Sequence, residues 1–159
     1  MSAIFVTSLD KEQSRAECSC AMGGGDNLPR NFSWILPGLV AGCACPGSER
    51  ELLAMVGVGV THLVTLSTDT PPSQAICGMR KLKSTVIAVK EFKGPEVHQM
   101  IKFNDLVSKE LLEGGKVAVH CRMGRGRTGT MLATTLMTRE GVDAEEVKTL
   151  HIFKISRLS

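Results

Sequence analysis

The stretch that decides the fold runs from Val117 to Gly129 and reads VAVHCRMGRGRTG. Its first three residues are all apolar, so both faces of a strand formed by them would be apolar, which is typical of a strand in the middle of a covered parallel sheet. From Thr128 to Glu140, apolar residues lie nearly all round the helical projection, which predicts a buried helix that Gly141 ends. The loop between this strand and this helix presents backbone N–H groups and a helix N-terminus to one point, which is a typical anion site.

Cys121 and Arg127 are the candidate reactive residues of this loop, in the pattern C-x5-R followed by Thr128. A free cysteine has a pKa of about 8.5, and helix N-termini with cationic neighbours lower it to roughly 3.5–7.5. The pattern therefore predicts a thiolate nucleophile at Cys121. Arg127 can bind two phosphate oxygens bidentately, which lysine cannot. The Thr128 hydroxyl is placed to hydrogen-bond the sulfur and help it leave.

The other residues of the loop are candidates for substrate binding. Gly124 and Gly126 let the backbone close around an oxyanion without a Cβ in the way. We assign substrate binding to Arg122, Met123, Gly124, Arg125 and Gly126, and support of the loop to His120.

Two other interpretations of the same letters compete with the anion site. Gly124, Gly126 and Gly129 match G-x-G-x-x-G, the pattern of dinucleotide-binding loops. However, four residues separate the strand from the first glycine, and only thirty residues follow Gly129, which leaves no room for further βα units. The simpler alternative is a buried cysteine that acts as a small apolar side chain beside a solvated arginine cluster. The flanking strand and helix favour the anion site.

The rest of the chain predicts a single α/β domain with a mainly parallel central sheet flanked by helices, because strands alternate with helices. Residues 1–30 are predicted to be a flexible N-terminal extension, and 31–159 the domain. The predicted strands are 32–36, 39–41, 61–66, 85–89 and 117–119, with a loop over 68–78. The predicted helices are 48–56 with Ser48 as its cap, a long helix between Pro95 and Gly114, 128–140, and a last one that Asp143 caps. The apolar stripe of the long helix comprises Val97, Met100, Ile101, Phe103, Leu106, Val107 and Leu111.

Composition narrows the possible classes of protein. Hydrophobic residues make up 43% and charged residues 22%, as in ordinary globular proteins. No apolar run is long enough to span a membrane, and the N-terminus does not resemble a signal peptide. A net charge of +3 and 4% aromatic residues argue against a nucleic-acid partner. We expect a cytoplasmic protein, with the nucleus left open as a second location, and oligomeric state is left open.

Six cysteines raise the question of zinc. Cys18 and Cys20 form one C-x-C pair, and Cys43 and Cys45 form another. This spacing differs from that of zinc ribbons, and the first pair lies in the predicted extension. We therefore expect no metal, and reduced thiols in a cytosolic protein.

The loop resembles the protein tyrosine phosphatase superfamily, whose motif H-C-x5-R-[ST] is matched at every specified position from His120 to Thr128. The segments 31–38, 61–66 and 126–133 are similar to the small atypical dual-specificity phosphatases, and the resemblance covers roughly Asn31 to Leu150. The resemblance implies a cysteine-phosphatase fold without cofactor or metal. It also implies phosphorylated protein substrates, with hydrolysis of phosphotyrosine and phosphoserine/threonine through a phosphocysteine intermediate.

The chain departs from this family at two places. The family uses an aspartate as general acid, and the residue that aligns with it is Glu91, which can transfer a proton but carries one more methylene. The alternative for Glu91 is a solvated surface carboxylate. The family also continues with a further turn and helix, which His151–Ser159 does not match, so the resemblance implies a C-terminally shortened domain.

The sequence leaves two alternative functions open. A pseudophosphatase that binds phosphoproteins with little turnover would suit the change at Glu91. An RNA 5′-triphosphatase would suit the additional charges of Arg122 and Arg125.

Overall fold

The computed structural model describes residues 27–68, 82–141, 143 and 145. Its centre is a five-stranded sheet with the order β1-β2-β5-β3-β4. The strands are β1 (Ser33–Leu36), β2 (Val40–Ala44), β3 (His62–Thr65), β4 (Lys83–Val86) and β5 (Val117–Cys121). β1 is antiparallel to β2, and every other pair is parallel. The predicted α/β fold with a mainly parallel sheet is confirmed.

Three described helices cover the two faces of this sheet: α1 (Glu49–Gly57), α2 (Val97–Leu112) and α3 (Gly126–Glu140). Leu52 and Met55 of α1 pack in one core cluster, and Phe103 of α2 and Met131 of α3 pack in the other. Ser48 caps α1, because its hydroxyl accepts a hydrogen bond from the Glu51 N–H at 3.2 Å and the Glu51 carboxylate accepts one from the Ser48 N–H at 3.1 Å. The predicted cap is therefore confirmed. Nothing among the described helices has the length and apolar character that crossing a membrane requires.

β5 lies between β2 and β3 and is buried along its whole length, as its apolar sequence predicts. Cys121 pairs in register with Ala44 of β2, and His120 pairs with Thr65 of β3. The carboxyl ends of these three parallel strands therefore meet at one edge of the sheet. α3 packs closely on the middle of β2 at Gly42, where a Cβ would lie 2.6 Å from Leu132 Cδ1.

The predicted apolar stripe of the long helix is confirmed except at its N-terminal end, since Met100, Leu106 and Leu111 pack against the core. Val97 and Ile101 of the predicted stripe are 70% and 56% exposed. The buried residues are Phe103, Val107 and the carboxylate Glu110. Glu110 tolerates burial because Lys83 Nζ lies 2.8 Å and His62 Nδ1 lies 3.0 Å from its Oε1.

Two further predictions need correction. α3 is not buried all round, because α2 and the sheet cover one side and leave Met137 41% exposed on the other. β4 begins at Lys83 rather than Thr85. The chain beyond its end still follows β3, since the N–H groups of Ile87 and Val89 donate to Thr65 O and Leu66 O, each at 2.9 Å.

Several predictions fall outside the described residues. They are the flexible extension up to residue 26, most of the loop over 68–78, and the last helix with the shortened C-terminus. Asp143 Oδ1 does accept a hydrogen bond from the Glu145 N–H at 2.8 Å, as a helix cap does. Contacts with the domain begin before Asn31, because Pro29 is buried and Arg30 O accepts a hydrogen bond from the Ala44 N–H at 2.8 Å.

Candidate active site

The candidate loop connects the end of β5 to the start of α3. Cys121 is the last residue of β5 and is only 3% exposed, while Arg127 and Thr128 lie in the first turn of α3. The neighbouring strand holds the loop in place, because the Cys45 N–H just after β2 donates to Arg122 O at 3.3 Å. The loop therefore has the strand before it and the helix after it that its sequence predicts.

The surroundings of Cys121 favour its thiolate. Burial of the sulfur opposes ionisation, but hydrogen bonding from the Thr128 hydroxyl and from the N–H groups of Thr128, Gly124 and Met123 outweighs it, so the pKa of Cys121 lies below its ordinary value. The same convergent N–H groups would stabilise any other anion at this point.

Thr128 provides the hydroxyl at the sulfur. Its side chain is fully buried, and Oγ1 makes no hydrogen bond of regular geometry within the described part of the chain. Oγ1 still lies close enough to Cys121 to lower the pKa of that thiol. Because a hydroxyl rotates freely about its C–O bond, the proton of Thr128 Oγ1 can turn towards the sulfur.

Arg127 is fixed beneath the loop rather than exposed on the surface. Its side chain is 9% exposed, and Nη1 donates to Val89 O at 3.0 Å. This hydrogen bond orients the plane of the guanidinium group and connects the loop to the segment that follows β4. A buried guanidinium with a fixed plane suits bidentate binding of phosphate oxygens.

The two glycines predicted to close the loop differ in their surroundings. Gly124 has a φ of +71°, and a Cβ there would overlap the carbonyl group of Cys43. Only glycine therefore fits at 124 without displacing the end of β2. A Cβ at Gly126 would meet no described atom within 4 Å, so packing supplies no reason for glycine at that position.

The remaining candidates form the rim of the site. Met123 is 47% exposed, and Arg122 and Arg125 are also exposed. Arg122 Nη1 lies 3.6 Å from Glu91 Oε1, so the candidate acid contacts the loop although a long stretch of chain separates the two. The Glu91 side chain is 41% exposed, and it therefore keeps contact with solvent as well.

His120 connects β5 to β3 under the loop. It is fully buried, and its Nε2 lies 2.8 Å from Thr65 Oγ1. Burial lowers the pKa of His120 to about 4, although interaction with the Cys121 backbone partly offsets this shift. His120 Nδ1 makes no hydrogen bond of regular geometry with the described residues. The imidazole is therefore neutral at physiological pH, which suits a supporting residue.

This buried imidazole predicts a loss of stability in mild acid. Because the pKa of His120 is about 4 in the folded protein and 6.5 in a free side chain, the unfolded chain binds the proton more tightly between those values. Its contribution to the free energy of unfolding is complete above pH 6.5 and is lost as the pH falls towards 4, by up to about 3 kcal/mol. Urea titrations across this pH range measure the effect. In His120→Gln, which cannot titrate, stability should depend less steeply on pH, and an equally steep dependence would refute the assignment.

One residue that contacts the loop, Asn31, was not identified from the sequence as part of the site. Asn31 Nδ2 donates to Met123 O at 2.9 Å, although we took Asn31 only as the start of the domain. No motif or spacing in the sequence connects the two residues. The one available signal is an asparagine just before a strand, since asparagine tolerates the left-handed conformation that Asn31 adopts with a φ of +58°.

Cys43 is poorly suited to the alternative zinc site. Burial, together with the nearby Cys45 and Cys121, raises the pKa of its thiol, which disfavours the thiolate that zinc requires. The described residues contain no group of three or more histidine, cysteine or acidic side chains that could hold a metal ion. Cys18 and Cys20 lie outside them.

Comparison with known proteins identifies relatives of the whole domain. A family model described as "Swiss Army Knife protein, DSP-PTPase phosphatase domain" (PTP-SAK) matches residues 29–156. Dual specificity protein phosphatase 1 of Arabidopsis thaliana is 28% identical over 117 residues, which cover 74% of this chain and 55% of that protein. The chain thus spans about half the length of this curated relative.

Solved structures give the same result for the fold. The crystal structure of Tk-PTP in its active form superposes with a TM-score of 0.65 at 29% identity, over 74% of this chain and 79% of that one. The crystal structure of DUSP15 superposes with a TM-score of 0.63 over 79% of this chain and 76% of that one. At 21% identity, the second similarity shows the fold alone.

Proposed function

The chain belongs to the DSP-PTPase phosphatase domain family, and on that premise we propose that it is a protein phosphatase of the small atypical dual-specificity type. Its substrates would be phosphotyrosine and phosphoserine/threonine in proteins, hydrolysed through a phosphocysteine intermediate. The observation that carries the proposal is the convergence of three backbone N–H groups and the Thr128 hydroxyl on the Cys121 sulfur. We also propose a cytoplasmic location.

In the first step, the Cys121 thiolate attacks phosphorus, an S–P bond forms and the bond from phosphorus to the ester oxygen breaks. Arg127 binds two non-bridging oxygens, and the N–H groups of the loop neutralise the charge that the phosphoryl group carries. The fixed plane of the Arg127 guanidinium supports this role, because orientation before the reaction avoids an entropic cost during it. The leaving oxygen takes the electron pair and needs a proton.

Glu91 is the proposed donor of that proton. The ion pair with Arg122 supports this role, since it holds the carboxyl group beside the loop. In the second step, water attacks the phosphocysteine and the S–P bond breaks. Glu91 accepts the proton of the water, and the Thr128 hydroxyl stabilises the departing thiolate.

Glu91→Gln should therefore affect substrates according to their leaving groups. Phosphopeptide hydrolysis should slow by about 10²-fold, because the alkoxide or phenolate leaves poorly without a proton. An aryl phosphate with a very acidic leaving group should show a much smaller loss in the first step. The measurement is the rate of the first step on each substrate, before the steady state, in Glu91→Gln relative to wild type. Glu96→Gln is the control, because Glu96 is an exposed carboxylate at the cap of α2. Small, equal losses on both substrates would return Glu91 to the role of a surface carboxylate.

Two observations support alternative functions. The exposed arginines Arg122 and Arg125 would suit a polyphosphate, as in an RNA 5′-triphosphatase, and the exposure of Glu91 would suit a phosphoprotein-binding pseudophosphatase. Hydrolysis of a phosphotyrosine peptide, a phosphothreonine peptide and a triphosphorylated RNA under one set of conditions distinguishes these functions. We expect turnover of the two peptides. Preference for the RNA would support a triphosphatase, and peptide binding without turnover would support a pseudophosphatase.

A further inference from the structure

Asn31 is held in an unusual conformation beside the phosphate-binding loop. Its φ of +58° is positive, which among the described non-glycine residues is shared only with Phe92. Its position is fixed from both sides, because Arg30 O accepts a hydrogen bond from the Ala44 N–H at 2.8 Å and β1 begins at Ser33. From there the Asn31 amide reaches the loop and donates from Nδ2 to Met123 O at 2.9 Å.

This hydrogen bond fixes the orientation of one peptide group. The carbonyl of Met123 and the N–H of Gly124 belong to the same planar trans peptide, so they point in opposite directions. When the carbonyl points at Asn31, the N–H points away from Asn31. In this structure that N–H is one of the groups that act on the Cys121 sulfur.

The same peptide would otherwise have an alternative orientation. Gly124 has no Cβ to restrict it, and glycine adopts conformations with positive and negative φ about equally well. A flipped peptide would turn the Met123 carbonyl oxygen towards the thiolate or a bound phosphate and remove a donor from the site. Carbonyl oxygens repel anions, so the flipped loop would bind anions poorly.

We propose that Asn31 is a positioning residue that holds the Met123–Gly124 peptide in the orientation that binds anions. Its effect on catalysis rests on the proposed function, whereas its effect on anion binding and on the Cys121 thiol does not require turnover. Asn31 thus acts on the reacting sulfur through Gly124 and does not itself contact substrate.

Two variants separate the amide from the backbone conformation. Asn31→Gly keeps the left-handed conformation accessible and removes the amide, and Asn31→Asp keeps the shape but replaces the donor with an oxygen that repels the Met123 carbonyl. The rate of Cys121 alkylation by iodoacetamide, followed by mass spectrometry as a function of pH, gives the pKa of that thiol alone. Protection by inorganic phosphate in the same assay gives the anion affinity. Both variants should raise the pKa by about one unit and weaken phosphate about tenfold, as expected for one charge-assisted hydrogen bond.

Asn104→Asp is the matched control. Asn104 Nδ2 in α2 donates to Thr134 Oγ1 in α3 at 3.5 Å, away from the loop. The control should leave the pKa of Cys121 and phosphate protection unchanged. An Asn31→Gly variant with wild-type pKa and phosphate protection would overturn the proposal, because Asn31 would then serve only the turn. If that variant fails to fold, Asn31→Asp with wild-type pKa and phosphate protection would overturn the proposal in the same way. Absence of turnover in the wild type would contradict the proposed function but leave the predicted shifts in pKa and phosphate protection standing.

Discussion

Replacement of Cys121 by serine should abolish turnover and leave phosphopeptide binding largely intact. A serine hydroxyl stays protonated where the thiol of Cys121 ionises, so the nucleophile is lost. The donors to the anion are mostly backbone N–H groups and Arg127, which the substitution does not touch. We expect a loss of rate of about 10⁴-fold or more, the scale of nucleophile deletions in other enzymes.

Initial rates on an aryl phosphate and calorimetric titration with a non-hydrolysed phosphopeptide together test this result. Cys45→Ser is the matched control, because Cys45 is half-buried beside the loop and its Sγ donates a weak hydrogen bond to Pro46 O at 3.7 Å. The control should retain wild-type rates. Residual activity of Cys121→Ser above a few per cent of wild type would exclude the covalent mechanism.

Replacement of Arg127 by lysine should reduce both the rate and the affinity for phosphate. The guanidinium is buried, and Val89 O fixes its plane from one side, so the group can present two parallel N–H donors to phosphate. The lysine ammonium is a single point charge on a flexible stem and cannot reproduce that arrangement. We expect a loss in kcat/KM of about 10²–10³-fold, comparable to the removal of one donor that stabilises a transition state.

Steady-state kinetics on the phosphopeptides and phosphate inhibition measure the two effects separately. Arg139→Lys is the control, since Arg139 lies in the last turn of the same helix and is exposed. It should leave both quantities unchanged. Arg127→Lys with rate and affinity close to wild type would show that charge alone suffices at this position.

The local parts of the site could be predicted from the sequence because they are contiguous in the chain. The buried strand, the loop and the helix from Val117 to Glu140 follow each other, so hydrophobicity and the C-x5-R spacing indicate their arrangement. The cap of α1 at Ser48 is equally local, because Glu51 completes it three residues later. In such segments, the residues that contact each other in the structure are also close together in the sequence.

The contacts that complete the site could not be predicted, because they join distant segments. Val89 holds Arg127, Glu91 contacts Arg122, and Asn31 holds the Met123 carbonyl. Each depends on where the segments before β1 and after β4 lie relative to β5, which no local pattern specifies. The burial of Glu110 on α2 was missed for the same reason, since it requires Lys83 and His62 from two neighbouring strands.

The most direct test of the central claim is the detection of phosphocysteine at Cys121. The protein is mixed with an aryl phosphate that has an acidic leaving group, the reaction is stopped rapidly, and the peptide that contains Cys121 is analysed by mass spectrometry. We predict a phosphoryl group on Cys121 in the wild type, and more of it in Glu91→Gln, where water attacks the intermediate without a base. Release of phosphate by the wild type with no phosphoryl group on Cys121 in either protein, or with the group on another residue, would contradict the mechanism.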